Sequence, residues 1–459
     1  MVVKCMAITA MAIALGVLAI RAPVAAWVVA TAVVLIAFLF TVRQGVPMLA
    51  LAGLAAVAVS YTQATQGGAP SAAKYLDDAV LVVGVLLLVR LRGRLSRRLS
   101  RIAGIVLFFM FASAMAGVLG GGSLRLAVIG NWQDARWLGA IGIGVAVADG
   151  LQPSQRRRWA FRWLLLLNVL NALVSLYQIA AHDYTTTRLG FPEVTGLFGQ
   201  TTANALAATL LLIFVLTDGR SSRLAVSKRE IALAIGVGFL DLLLSTRFKP
   251  GLALVAVAIF LYLRRIGIRP LVLASLAAAI PVIVIMAFAW VTAPGRAESE
   301  SEATTNLIAH AAPRVQFMNG AEQLASRAFP LGEGSGTYGS DLNYGRELEA
   351  FADAGLGSQY GFRTEGSQFN SDNFVAHVLG ERGYAGLAAW LISLAALIYF
   401  ALVSSSSSFV PGVAIAAASL TALVPVFRDG TAILLVFIPA TLCMWGSAHH
   451  GFERYRPQS

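Results

Sequence analysis

Apolar runs of roughly 16 to 22 residues recur along almost the whole chain, and they restrict its fold more than any motif does. A hydrocarbon core ~30 Å thick is crossed by about 20 helical residues, so each run has the length of a membrane span. Lipid offers no partner to backbone N–H and C=O groups; helices must carry the runs, and the period-two alternation of a barrel is absent. In order, the spans fall near 5–20, 24–41, 46–61, 77–90, 102–121, 133–149, 163–181, 201–217, 231–247, 250–263, 270–292, 383–403, 409–427 and 431–447, about fourteen in all. Composition agrees. With 58% hydrophobic and 13% charged residues and a mean hydropathy of +0.73, the chain lies far from a water-soluble globule, whose charged share is near a quarter. The expectation is an all-α polytopic integral membrane protein.

Basic residues orient it, because short cytoplasmic loops collect Lys and Arg. The loop "RLRGRLSRRLSR" holds six arginines and no acid, and "QRRRWAFR", "GRSSRLAVSKRE" and "RRIGIR" continue the bias on every second loop. Both termini are therefore expected in the cytoplasm. The net charge of +12 reads as topology and contact with anionic membrane lipids, not as a nucleic-acid footprint. The start, with Lys4, an apolar stretch and small residues near Ala25, has signal-peptide features but reads as a retained first helix. Cys5 and Cys443 fall near the cytoplasmic side of their spans and read as packing residues; no zinc-type spacing exists.

The predicted spans divide the chain into an N-terminal bundle (1–291), an outer connection (292–371) and C-terminal helices (372–459). That connection has no span of its own, and so long a loop in a helix bundle is usually functional. It contains an amphipathic pattern over 312–329, with Val315, Met318, Ala321, Leu324 and Ala325 on one face, then the glycine-rich "PLGEGSGTYGSDLNYG". No Lys-Ser/Thr follows those glycines and no strand precedes them, which argues against a nucleotide loop. Tyr338, Tyr344, Phe351, Tyr360, Phe362 and Phe369 suit either sugar stacking or a small core of the loop itself, and the second reading is preferred for each singly.

Charged groups at the outer membrane boundary are costly and so informative. "TTTRLGFPEVTGLFGQTTANALAATL" brings Arg188 and Asn204 to a helix entrance, and "LLLSTRFKPGLAL" is a tight turn exposing Arg247 and Lys249. "SDNFVAHVLGERGYAGLAAWL" sets Asp372, Asn373, His377, Glu381 and Arg382 at the mouth of a span, and "VFRDGTA" adds Arg428 beside Asp429. Snorkelling to headgroups is the alternative for Arg247 and Lys249, mutual neutralisation for Arg428 and Asp429, and pairing with Arg382 or a neighbouring cation for Glu381. Were the helix continuous, Glu381 would lie about two and a half turns below Asp372. Asp241, inside a span, calls for a cationic neighbour. These groups describe a cationic outer cleft with a few acids, suited to a diphosphate, which arginine binds through paired donors. No outer DxD pair is present for a divalent metal; Asp77 and Asp78 are a weak candidate.

From Arg188 to Leu391 the chain resembles the O-antigen ligase and O-antigen polymerase superfamily. Members commonly show His-Asn, a Glu nine positions after the His, then two glycines spaced by three; Asn373, Glu381, Gly383 and Gly386 fall on those places, with Asp372 in the His slot. "RAFPLGEGSGTYGSD", "TGLFGQTTANALA" and "STRFKPGLAL" resemble the family's "hPllGvGpgnf", "G-x-f-g-x-x-N-x-x-A" and "T-x-S-R-G" segments. In the last, Lys249 falls on the family's Arg; the basic residue usual before the first Gly is missing at Val194 and Thr195, leaving Arg188 as a displaced substitute.

The resemblance implies a GT-C-like fold in the bacterial inner membrane and a metal- and cofactor-free transfer on the periplasmic face. The donor would be an undecaprenyl-diphosphate-linked glycan and the acceptor a sugar hydroxyl of a second lipid-linked repeat unit. It implies Asp372 as base, Asn373 orienting it or the acceptor, and Arg188, Arg247 and Lys249 as a phosphate clamp joined by Arg314. Supporting roles fall to Glu381, His377, Asn204 and Arg428, with a chain-length regulator as a candidate partner. Asp372 in place of His inclines the reading to a polymerase. The alternatives are a ligase delivering polymer to a lipid A core or protein, a lipid-linked oligosaccharide flippase, and a peptidoglycan-type glycosyltransferase. Flippases have two repeated halves and short loops, unlike this chain.

Overall fold

A computed structural model describes residues 76–90, 97–121, 123–182, 186–188, 191–198, 201–218, 226–245, 249–291, 302–339, 344–356, 373–404, 409–420 and 430–448. The three spans expected before residue 62 lie outside the described residues. What is described is almost wholly helical. Three helices, Ser154–Ala180, Thr201–Asp218 and Phe374–Val403, are long and apolar enough to cross a membrane. The protein is an all-α membrane protein.

The first helices are α1 (Leu76–Arg90), α2 (Arg97–Leu119), α3 (Leu124–Ala135), α4 (Trp137–Asp149) and α5 (Pro153–Ala180). α4 is the span expected at 133–149; α3, which the expected spans did not include, precedes it, and Arg136 between them is both the C-cap of α3 and the N-cap of α4. α1 and α4 cross with no side chain between them: a Cβ on Gly139 would come within 2.2 Å of the Leu81 carbonyl oxygen. Such small-residue crossings let helices associate where lipid is as apolar as any side chain. α5 starts at Pro153, whose missing N–H costs nothing in a first turn.

After α5, Thr186–Arg188 (β1) and Phe191–Glu193 (β2) pair antiparallel in a short hairpin that the sequence reading did not foresee. There follow α6 (Thr201–Asp218), α7 (Lys228–Leu244), α8 (Lys249–Arg265) and α9 (Pro270–Val291). α7 opens with a capping box, in which Ser227 accepts from the Glu230 N–H at 3.2 Å and Glu230 accepts from the Ser227 N–H at 2.8 Å. α5, α6 and α7 pack on one another. Large apolar side chains that face outward, such as Leu173, Leu216, Phe239 and Leu243, are what lipid rather than water would accept.

The long connection over 292–371 contains α10 (Glu302–Arg327), a turn-rich segment over 328–339, and α11 (Tyr344–Asp353). α12 (Phe374–Ser404), α13 (Phe409–Leu420) and α14 (Gly430–Ala448) complete the described chain. The amphipathic face of α10 is buried where the pattern puts it: Ala321, Leu324 and Ala325 join Phe317, Tyr338, Phe351 and Leu356 in a separate small core. Phe317 and Tyr338 stack with centroids 4.5 Å apart, and the Tyr338 hydroxyl donates to the Phe317 carbonyl at 2.6 Å. Tyr338 and Phe351 therefore belong to the loop's own core. The other four aromatics have no described side chain. Ala376 and Leu379 of α12 complete this core, while Phe374, Val375 and Val378 belong to the main membrane core.

Candidate functional site

The site is organised by one glycine. Inside α12, Gly383 has φ +63° and ψ −166°, a conformation essentially restricted to glycine, and it cuts the helix into segments 374–382 and 384–404. A continuous helix would hold residues 374 and 390 about 24 Å apart at 1.5 Å per residue. The rings of Phe374 and Trp390 instead stand 5.3 Å apart. The chain therefore turns back at Gly383, and Asn373 lies at the level of Trp390, inside the bundle. The helix is continuous from 374 to 382 and ends at Gly383, where the span expected at 383–403 begins. The remaining 384–404 is still roughly 30 Å long and can cross a bilayer.

Breaking a buried helix frees backbone groups that lipid cannot satisfy. The glycine-rich segment satisfies them. Glu333 N–H donates to the Gly380 carbonyl and Gly334 N–H to the Glu381 carbonyl, both at 3.0 Å; Ala385 N–H returns to the Pro330 carbonyl at 3.1 Å. Close approach explains the glycines. A Cβ on Gly332 would meet Gly380 O at 2.5 Å, one on Gly380 would meet the Tyr338 ring at 2.6 Å, and one on Gly117 of α2 would meet Ser335 Oγ at 2.4 Å. Gly383 thus breaks the helix, whereas Gly386 lies close to α2, its carbonyl accepting from Ser113 Oγ at 2.9 Å.

The side chains of 373–382 follow from this turn. Asn373 is buried and its Oδ1 accepts from the Ala376 N–H at 3.1 Å, so it caps the half-helix immediately after Asp372. His377 Nδ1 lies 2.8 Å from the Tyr338 carbonyl and 3.8 Å from Glu381 Oε1. That same oxygen accepts from the N–H groups of Gly336 (2.9 Å) and Tyr338 (3.2 Å). Glu381 is thus a staple between helix and loop, not the partner of Arg382. Burial pushes the Tyr338 phenol well above its ordinary range. Arg382, 3% exposed, pairs with Asp134 of α3 and donates to Ser113 Oγ at 3.2 Å.

The Asp134–Arg382 pair is the part the sequence reading missed. Asp134 stands within "NWQDARW", inside an apolar run, and an acid at such a place was the available signal. Asp134 also edges a small hollow with Val106, Met110, Trp137, Phe374 and Trp390.

Asn204 has other partners. Its Nδ2 donates to the Thr195 carbonyl at 2.6 Å, and the turn at 194–198 is further held by Gln178 Oε1 to Gly196 N–H and Asn171 Oδ1 to Leu197 N–H, each 2.8 Å. The "TGLFG" turn is thus clamped between α5 and α6. Arg188 ends β1, Lys249 opens α8 and Arg314 lies in α10, but the side chains of all three lie outside the described part. Asp372, Arg247 and Arg428 lie outside the described residues altogether. Asp241 of α7 is 1% exposed; among the described residues the cation expected beside it is not found, and its neighbour is the Asn171 amide.

Compared with protein-family models, curated proteins and solved structures, the chain matches none of them.

Proposed function

We propose that the chain is a membrane-embedded polysaccharide polymerase of GT-C-like architecture, with about fourteen spans, both termini in the cytoplasm and its site on the periplasmic face of the bacterial inner membrane. The reading rests on one observation. The described parts of the two segments that carry the family resemblance, "PLGEGSGTYG" and "NFVAHVLGERG", are hydrogen-bonded into one unit beside Gly383.

In this reading Asp372 takes the proton from a sugar hydroxyl of one lipid-linked repeat unit as that oxygen attacks C1 of the glycan on a second undecaprenyl diphosphate. A new C1–O glycosidic bond forms, the C1–O bond to phosphate breaks, and its electron pair leaves on the diphosphate. Arg188, Arg247, Lys249 and Arg314 receive that charge. Asn373 fixes the backbone next to the base by capping 374–382, and the unsatisfied N–H groups of that half-helix add positive potential. Asp134–Arg382 and Glu381 hold the fold-back in place.

Deleting the gene and analysing the accumulated lipid-linked glycans tests this. Single repeat units are expected; full-length polymer left on the lipid carrier would instead identify a ligase, and unchanged glycans would reject both. In a purified assay Asp372→Asn should abolish turnover while substrate binding persists, and EDTA should not inhibit.

A further inference from the structure

A second polar cluster lies between α5, α6 and α7, beneath the 194–198 turn. Asp241 is 1% exposed, and the polar group beside it among the described residues is the side-chain amide of Asn171. Asn171 is also 1% exposed. Asn171 and Asn204 meet at Gly196: the Cβ that this glycine lacks would fall 2.4 Å from Asn171 Oδ1 and 2.4 Å from Asn204 Nδ2. Asn204 Nδ2 is committed to Thr195, and Asn204 Oδ1 is a further buried oxygen with no donor.

The polar inventory is lopsided. Among the described residues, three buried oxygens, both of Asp241 and one of Asn204, stand against one amide nitrogen, that of Asn171; Thr209 Oγ1 of α6 is buried and unpartnered as well, and one of the groups is an acid. A buried carboxylate with no charge partner costs several kcal/mol and persists only when something neutralises it. A proton would supply one donor. A small metal cation would neutralise the acid and use every spare oxygen, together with the second lone pair of Asn171 Oδ1, in the hard-oxygen surroundings such ions prefer. Divalent ions call for more carboxylates than this cluster has.

We propose that Asp241, Asn171 and Asn204 form an intramembrane site for one small monovalent metal cation, with sodium as its probe. Loading ties α7 to α5 and α6 and so steadies the turn at 194–198. The site is independent of the transferase reading, and its test needs no turnover.

The test is thermal unfolding of the purified full chain in detergent at fixed pH and ionic strength, with sodium chloride exchanged against choline chloride. Saturating sodium should raise Tm by roughly 3–6 °C in wild type, with saturable dependence on concentration. Asp241→Asn keeps the shape, removes the charge and should lose the sodium response. Should that variant not fold, Asn204→Ala removes one ligand oxygen and should move the half-maximal sodium concentration up by about tenfold. Equal Tm in sodium and choline for wild type, or an unchanged response in either variant, overturns the site.

Discussion

Replacing Gly383 by alanine probes the fold-back with a magnitude that can be worked out in advance. At φ +63° and ψ −166° a non-glycine residue is strained by about 1–3 kcal/mol. The new Cβ would also stand 2.3 Å from the Leu331 carbonyl carbon and 2.6 Å from Gly332 N, both backbone atoms. Relief requires the 330–334 segment to back away. That gives up the bonds to the Gly380 and Glu381 carbonyls, each worth about 0.5–1.5 kcal/mol net. The sum is a loss of about 4 kcal/mol. Gly236 of α7 is the matched control, since a Cβ there meets nothing within 4 Å and alanine favours a helix interior by roughly 0.5–1 kcal/mol. Thermal unfolding in detergent, followed by tryptophan fluorescence, should therefore show Gly383→Ala well below wild type and Gly236→Ala at or above it. A Gly383→Ala protein within about 0.5 kcal/mol of wild type would refute the reasoning, because only an ordinary helix tolerates the added methyl.

Breaking the Asp134–Arg382 pair from one side leaves a buried charge, so Asp134→Asn and Arg382→Met should each lose about 3–5 kcal/mol, while the double variant recovers a good part; unfolding midpoints of all three decide it. Tyr338→Phe removes the donor to the Phe317 carbonyl and should lose about 1–3 kcal/mol, measured by denaturant unfolding. The Glu230 carboxyl is held below its ordinary value, first by the Ser227 N–H and further by Arg162 at 2.6 Å. Its contribution is therefore full above the unfolded carboxyl range and is lost as pH falls through the lowered folded value. Glu230→Gln should be less stable than wild type at pH 7, by under about 1 kcal/mol, and the gap should close toward pH 3. Arg247→Ala should abolish long polymer in cells while the protein still inserts, scored by gel analysis of surface glycans.

The helices were legible because their cause is local: an apolar run of spanning length has few other solutions in lipid. α1, α6 and α9 fall within a few residues of the runs at 77–90, 201–217 and 270–292. The span expected at 383–403 starts at the right glycine, but the turning back of 374–382 was not legible, because only contact with Leu331 and Gly332, some fifty residues away, selects the broken form. For the same reason Glu381 was given the wrong partner: on paper Arg382 is adjacent, whereas the fold sends that guanidinium to α3 and leaves the carboxylate to two backbone N–H groups. The core of the outer loop was half legible. Spacing marked the buried face of α10, but nothing in it said that Ala376 and Leu379 would close that core.

The most direct test joins residues 374 and 390. In a background with Cys5 and Cys443 replaced, Phe374→Cys and Trp390→Cys should be linked within one chain by a short bifunctional thiol reagent, since the native rings are 5.3 Å apart. A straight helix would hold these positions about 24 Å apart, beyond such a reagent. Intramolecular linkage in membranes, weakened in the Gly383→Ala chain, is the expected result. Thiols that both react with a monofunctional maleimide yet never link would contradict the fold-back and the site built upon it.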